Sequence, residues 1–229
     1  EAMQWNKPLP AKTIATQLHN LSIKFLELKK AEEGANTGLD DFDDASASGS
    51  DLLQQARETV TGLIPQLYQR LNSGADDKKA AVGIKEILFP AKWIWVGKTF
   101  VHTSMVALTA SVNASPYLFQ LPQDLRVYGK LLRAFNVKTG FTPNDYVQVL
   151  HTMAEETGQL DSDPKTGKAL PLPSVDLACS LVTLLSSEGS ITSRSVKEIY
   201  APDYAGRLAL TSGLINDDVP WMSGPQYIT

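Results

Sequence analysis

The sequence is poor in features that mark many functional classes. The lone cysteine, Cys179, cannot form an internal disulfide, which favours a reducing compartment such as the cytosol. A net charge of −4, with no block of lysine and arginine, argues against a nucleic-acid partner. No run reaches the roughly 18 apolar residues of a membrane span, and no signal-peptide pattern opens the chain. We therefore predict a cytoplasmic location, with neither nucleic acid nor membrane as partner.

Short motifs for nucleotides and cations are incomplete. Gly97-Lys98-Thr99 resembles the end of a phosphate-binding loop, but that loop needs a glycine where this chain has Lys92. The segment also has the composition of a strand, a turn and a second strand, so a plain hairpin turn is the favoured interpretation. A calcium loop counted from Asp161 needs glycine and glutamate where Thr166 and Leu172 stand. Neither motif predicts a ligand site.

Catalytic and metal-binding patterns are missing as well. The histidines His19, His102 and His151 lie too far apart in sequence to show metal-ligand spacing. Cys179 lies in an apolar run that offers nothing to activate a thiol. No Gly-x-Ser-x-Gly elbow is present. We therefore predict a non-enzymatic chain with no catalytic residue, no cofactor and no metal.

The first part of the chain predicts a hairpin of α-helices. Apolar residues recur every three or four positions from Thr13, which predicts a helix over residues 11–32. Asp51 is a candidate N-cap for a second helix, and Pro65 predicts a kink or break near Thr61. A third helix is expected to end at Pro90. The apolar stripe of the second helix consists of Leu52, Leu53, Ala56, Val60, Leu63, Ile64, Leu67 and Leu71.

An acidic segment rich in glycine and serine, residues 34–50, separates the first two helices. It has almost nothing to bury, so we expect a mobile loop. Its aspartates would attract basic proteins, although an ordinary solvated linker is the competing interpretation. The candidate partner-binding residues are Asp40, Asp41, Asp43 and Asp44.

Beyond the third helix the composition changes. Aromatic and β-branched residues on both sides of Gly97-Lys98 predict a β-hairpin. A second hairpin is expected in EIYAPDYAGRLAL, with its turn over residues 203–206. Amphipathic helices are predicted over residues 122–137 and over residues 174–189. Between them a further helix is predicted, with Thr142 as its N-cap and Pro143 as its first helical residue.

The segment LINDDVPWM closes this pattern near the end of the chain. Asn216 to Asp218 predict a turn, because short polar side chains can hydrogen-bond their own backbone. Trp221 is expected to return to the core beside the hairpin that contains Trp93 and Trp95. The structural closing motif consists of Asn216, Asp217, Pro220 and Trp221.

Three segments resemble, in this order, the closing part of the large repeats of sacsin and sacsin-like proteins. They are WIWVGKTFVHTSMVAL, SPYLFQLPQDLRVYGKLLRAFNVKTGFTPNDYVQVL and EIYAPDYAGRLALTSGLINDDVPWM. The most specific matches are Pro116-Tyr117-Leu118, Asp145-Tyr146, and Asn216-Asp217 followed by Pro220-Trp221. The resemblance runs from residue 89 onward, and the helical hairpin before it is compatible without a diagnostic motif.

In that family each repeat begins with an ATP-binding domain of the kind found in heat-shock chaperones. The Asn-x-x-x-Asp frame followed by Asp-x-Gly-x-Gly that marks such a domain is missing from this sequence. The chain also begins with Glu1, and we interpret it as a fragment of a longer protein. The resemblance thus implies a region downstream of the ATP-binding domain, and it places no catalytic residue on this chain.

We predict an α+β fold that is predominantly helical, with two β-hairpins packed against amphipathic helices. The expected domains are residues 1–88, a helical hairpin with its acidic loop, and residues 89–229, a helix-plus-hairpin module. The predicted function is a non-enzymatic structural or client-binding module of a large, sacsin-like, chaperone-type protein. Its partners would be other domains of that protein, and client or partner proteins. The alternative is an interaction adaptor that recruits basic partners through the acidic loop.

Overall fold

A computed structural model describes residues 9–35, 46–158, 168–187, 199–203, 205–211, 215–217 and 226–228. The chain forms two compact units. Unit 1 contains residues 1–109 and 119–139, and unit 2 contains residues 110–118 and 140–229. The secondary structure confirms the predicted α+β fold with predominant helix.

Unit 1 begins with three helices: α1 (Ala11–Ala35), α2 (Ser46–Gly74) and α3 (Lys78–Leu88). Helix α1 packs against α2 and α3, and apolar residues of all three enter one core. Helix α2 begins before the predicted cap, Asp51, so both ends of the predicted acidic loop are helical. It also continues through Pro65, and the predicted break near Thr61 is wrong. Burial of Val60 and Ile64 holds this stretch helical despite the missing proline donor.

Helix α3 ends where its sequence predicts. Asp77 caps its N-terminus, and the Asp77 carboxylate accepts a hydrogen bond from the Lys79 backbone N–H at 2.9 Å. The helix ends at Leu88, two residues before Pro90. Ile84 and Leu88 form its buried side, which leaves the opposite side of the helix exposed.

The first predicted hairpin is confirmed. Strands β1 (Ile94–Trp95) and β2 (Phe100–Val101) pair antiparallel. Gly97 has φ +87° between them, a left-handed conformation that glycine adopts without the strain of a side chain. All four strand residues are buried, and Phe25 of α1 contacts Trp95 edge-on at 5.0 Å between ring centroids.

The remainder of unit 1 differs from the prediction of a helix over residues 122–137. A 3₁₀ helix (Gln123–Val127) is followed by the short helix α4 (Gly129–Ala134). Tyr128, with φ −87° and ψ 42°, separates the two helices. The structure also contains a parallel pair, β3 (Val106–Ala107) with β4 (Phe119–Gln120), which is too short to give an alternating sequence pattern.

The predicted domain boundary between residues 88 and 89 does not match the observed units. The first hairpin and residues 119–139 belong to unit 1, together with the helices. The physical reason is a shared core, in which Phe25 contacts Trp95 and Tyr68 contacts both Trp93 and Tyr128. Separating the hairpin from the helices would expose these aromatic rings.

Unit 2 contains α5 (Pro143–Glu156), α6 (Leu172–Ser187) and the hairpin of β5 (Tyr200–Pro202) with β6 (Leu208–Leu210). The hairpin is antiparallel and confirms the second prediction. The predicted start of α5 is also confirmed, because Thr142 is its N-cap and Asp145 completes a capping box. Helix α6 was predicted to begin at Ser174 and begins two residues earlier, at Leu172.

A second antiparallel pair in unit 2 joins β7 (Ile215–Asp217) to β8 (Gln226–Ile228). The predicted turn is therefore wrong at Asn216 and Asp217, which pair with Tyr227 and Gln226. Turn preference depends on the nearest few residues, and backbone pairing with the following strand, β8, overrides it.

Candidate functional site

The residues singled out by the sequence form no single site in the described part of the chain. Asn216 and Asp217 lie on β7. The other predicted residues are outside the described part: Asp40, Asp41, Asp43, Asp44, Pro220 and Trp221. Partner binding by the aspartates and burial of Trp221 therefore stay predictions.

A buried tyrosine hydroxyl joins a helix to the first hairpin in unit 1. Tyr68 of α2 is fully buried. Its hydroxyl donates a hydrogen bond to the backbone carbonyl of Trp93 at 2.7 Å and accepts one from the backbone N–H of Trp95 at 3.0 Å. One side chain thus satisfies two buried backbone groups, one on Trp95 of β1 and one on Trp93, the residue just before that strand.

Aromatic rings surround this hydroxyl. The Tyr68 ring contacts Trp93 and Tyr128, with centroid distances of 5.6 Å to each, and Trp93 contacts Phe135 at 4.8 Å. Burial raises the pKa of Tyr68, while the hydrogen bond from Trp95 has a smaller, lowering effect. The hydroxyl is therefore kept protonated, as a donor to the Trp93 carbonyl must be. This arrangement suits support of the hairpin rather than proton transfer.

A buried ion pair closes the hairpin turn of unit 2. Oδ1 of Asp203 accepts hydrogen bonds from the backbone N–H groups of Ala205 and Arg207, at 2.9 and 2.8 Å. Oδ2 accepts hydrogen bonds from Nε and Nη2 of Arg207, at 3.1 and 2.9 Å. Gly206 completes the turn with φ +73°, and its N–H donates to the Asp203 carbonyl. The carboxylate is fully used in holding the turn.

Tyr117 attaches residues 110–118 to helix α5. Its hydroxyl donates a hydrogen bond of 2.5 Å to Glu156 at the end of that helix. Partial burial raises the pKa of Tyr117, and so do the hydrogen bond to Glu156 and its negative charge. Tyr117 belongs to the Pro116-Tyr117-Leu118 motif, so this motif residue has a structural contact within unit 2.

His102, which follows β2, forms a hydrogen bond with Phe89, the residue just after α3. Its Nε2 donates to the carbonyl of Phe89 at 2.8 Å, and its Nδ1 accepts from the backbone N–H of Ser104 at 3.2 Å. The neutral imidazole with its proton on Nε2 satisfies both bonds. The His102 ring also contacts the Phe89 ring edge-on at 6.5 Å. These contacts give His102 a structural role.

Cys179 and the acidic residues show no reactive arrangement in the described part of the chain. Burial raises the pKa of the Cys179 thiol, as does the charge of Asp176. A raised pKa lowers the thiolate fraction and makes the thiol a poor nucleophile. Among the described residues, no three His, Cys, Asp or Glu side chains are grouped closely enough to hold a metal ion. No described helix is both long and apolar enough to cross a membrane.

The exposed surface of α3 offers a different kind of candidate. Val82 and Phe89 are 58% and 59% exposed, and seven positions separate them, about two helical turns. Lys85 lies between them on the same side of the helix, and Lys78 lies on that side four positions before Val82. We call Lys78, Val82, Lys85 and Phe89 the α3 face. The sequence analysis did not predict the α3 face. The available signal was that Val82 and Phe89 are apolar, lie seven positions apart, and do not belong to the buried side formed by Ile84 and Leu88.

Comparisons with known protein families, with curated proteins and with solved structures found no match for this chain.

Proposed function

We propose that this chain is a non-enzymatic structural or client-binding module of a large, sacsin-like, chaperone-type protein, downstream of an ATP-binding domain. On this proposal it acts in the cytoplasm, and its partners are other domains of the same protein, with client or partner proteins. The ordered sequence segments from residue 89 onward support the family, with Pro116-Tyr117-Leu118 and Asp145-Tyr146 as the most specific residues in the described part.

The observation that carries a structural role is the use of buried polar groups to hold the backbone. The Tyr68 hydroxyl forms hydrogen bonds with the backbone of Trp93 and of Trp95, at the start of the first hairpin. The Asp203 carboxylate accepts hydrogen bonds from two backbone N–H groups and from the Arg207 side chain. A catalytic acid, base or nucleophile needs a free lone pair or proton directed at substrate. Both groups use their lone pairs or proton in hydrogen bonds within their own unit, which favours a structural role over a catalytic one.

Rigid units suit a module that passes on movement from a neighbouring domain. Within unit 1, Tyr68 connects α2 to the first hairpin, so a displacement of the helix is transmitted to the strands. Within unit 2, Tyr117 connects residues 110–118 to α5. The proposed mechanism is that each unit moves as a body in response to an adjoining ATPase.

Client binding is tested by aggregation of a heat-labile reporter enzyme, followed by light scattering. The proposal predicts that the chain lowers scattering in proportion to its molar ratio, to the same extent with and without ATP. Serum albumin at equal mass is the control for non-specific crowding. Scattering equal to that in the albumin control would refute client binding.

The alternative function is an adaptor that recruits basic partners through Asp40, Asp41, Asp43 and Asp44. Four aspartates in one short segment are the observation that favours it. Replacing all four by asparagine removes the charge and keeps the side-chain shape. The adaptor predicts loss of binding to a lysine-rich peptide with an unchanged melting temperature. Unchanged peptide binding would leave the segment as a linker.

A further inference from the structure

We propose that the α3 face, Lys78, Val82, Lys85 and Phe89, is a docking surface for an acidic amphipathic peptide segment of a partner protein. This inference rests on the proposed function and names a surface and a partner chemistry for it. Exposed apolar side chains that share one helix face and have charged neighbours are typical of protein interaction sites.

The apolar part of this surface is held in place. The Phe89 N–H donates to the Lys85 carbonyl at 2.9 Å, and the Phe89 carbonyl accepts from His102 at 2.8 Å. The His102 ring lies against one side of the Phe89 ring, whose side chain is still 59% exposed. Because the backbone of this aromatic residue is already fixed, a partner that covers the ring meets a lower ordering cost.

The positive charge of the α3 face favours a partner segment with negative charge. The α3 face carries two lysines, Lys78 and Lys85, and no acidic side chain, although the whole chain has a net charge of −4. Glu86 is 3.4 Å from Lys12 of α1, while Lys78, Lys79 and Lys85 form no ion pair with another described residue. The lysines are therefore available to carboxylates of a partner, and a basic partner would be repelled.

A peptide fits these features better than a nucleic acid. Few lysines lie here, whereas proteins that follow a phosphate backbone commonly use about six to ten phosphate contacts. Val82 and Phe89, two turns apart, match the repeat of apolar residues on an amphipathic helix. The partner segment is thus expected to carry apolar residues at helical spacing between aspartates or glutamates.

Fluorescence anisotropy tests the proposal with the full chain. The probe is a fluorescein-labelled amphipathic peptide of glutamate and leucine, with leucines at helical spacing. A second peptide has glutamine in place of leucine and keeps only the charge. The proposal predicts saturable binding of the first peptide and much weaker binding of the second. Absence of saturable binding by the first peptide would overturn it.

Paired variants locate the binding. The double variant Lys78→Glu with Lys85→Glu, and separately Phe89→Ser, should each weaken the affinity about tenfold or more, as at an interface hot spot. Matched controls are Lys24→Glu with Lys30→Glu on α1 and Val127→Ser, which alter exposed side chains elsewhere in unit 1. These controls should change the affinity by less than about twofold, as expected away from a hot spot.

Three outcomes would contradict the proposal. Equal losses in the α3-face variants and in the controls would show a non-specific charge effect. Unchanged affinity in the α3-face variants, with native circular dichroism spectra, would place the peptide elsewhere. Displacement of the peptide by a single-stranded oligonucleotide at comparable concentration would indicate a polyanion surface. Loss of peptide binding with intact suppression of aggregation would refute only this inference, and the proposed function would stand.

Discussion

Replacing Tyr68 by phenylalanine removes one oxygen atom and tests whether the buried hydroxyl supports the first hairpin. The aromatic contacts with Trp93 and Tyr128 remain, because the ring is unchanged. The Trp93 carbonyl and the Trp95 N–H lose their hydrogen bonds to the hydroxyl in a region where both residues are at most 4% exposed.

The size of the effect follows from these two groups. Each buried donor or acceptor that loses its partner destabilises the folded state by about 1 to 3 kcal/mol. We expect each of these two groups to cost an amount in the lower part of that range. We expect Tyr68→Phe to destabilise unit 1 by about 3 kcal/mol, because two groups are affected and local rearrangement recovers part of the loss. The free energy of unfolding is measured by urea titration with circular dichroism.

Hydrogen exchange at the Trp95 amide gives a local measurement of the same change. In Tyr68→Phe this amide should exchange about a hundredfold faster, since each 1.4 kcal/mol is about tenfold in the opening equilibrium. Tyr128→Phe is the matched control, because the Tyr128 hydroxyl donates to the Pro65 carbonyl at an exposed position, where water replaces it. A loss below about 0.5 kcal/mol in Tyr68→Phe, equal to the control, would show that the buried hydroxyl does not support the hairpin.

Three further predictions concern the ion pair, a helix cap and alkaline pH. Asp203→Asn removes the buried partner of Arg207 and should lower the melting temperature by an amount equivalent to about 3 kcal/mol, whereas Asp76→Asn, in an exposed pair with Lys130, should cost less than about 1 kcal/mol. Similar effects of the two would mean that the Asp203 contacts add no stability. Asp145→Ala removes the carboxylate of the capping box of α5 and should cost about 1 kcal/mol in thermal unfolding, and no change would contradict the cap. Folding raises the pKa of Tyr68, so the unfolded state releases the hydroxyl proton at a lower pH than the folded state does. The contribution of this hydroxyl to the free energy of unfolding is therefore complete below the pKa of the unfolded state, about 10, and is lost as the pH rises further. Urea midpoints between about pH 9 and about pH 11 should therefore fall more steeply in the wild type than in Tyr68→Phe, and equal slopes would contradict the prediction.

Features with local signals were predicted well from the sequence. Thr142, Pro143 and Asp145 are neighbours along the chain, and together they specify the start of α5. Gly97 supplies the left-handed turn of the first hairpin, and Pro90 follows shortly after the end of α3. In each case the residues that determine the structure lie within a few positions of the element.

Helix α2 shows what periodicity alone misses. Its predicted stripe includes Leu52 and Leu63, which are 53% and 40% exposed. It omits Tyr68, which lies four positions after the buried Ile64 and three before the buried Leu71. A tyrosine inside that spacing was the available signal, because its ring can be buried when its hydroxyl finds a partner.

The partners of Tyr68 lie beyond the reach of pattern analysis. They are separated from it by 25 and 27 positions, and no motif relates them. The same long-range packing overrides the predicted boundary after residue 88, since the change in composition there marks a change of secondary structure rather than of core. Asn216 and Asp217 were misassigned because their strand partners, Tyr227 and Gln226, lie outside the few residues that a turn preference takes into account.

Isothermal titration calorimetry with magnesium and ATP, followed by a phosphate-release assay on the same sample, tests the proposal that this chain is a non-enzymatic module. The proposed function predicts only the heat of dilution and no phosphate above the buffer blank. Saturable binding with a dissociation constant of about 1 µM to 1 mM, the range typical of enzyme substrates, together with phosphate release in proportion to chain concentration, would contradict it.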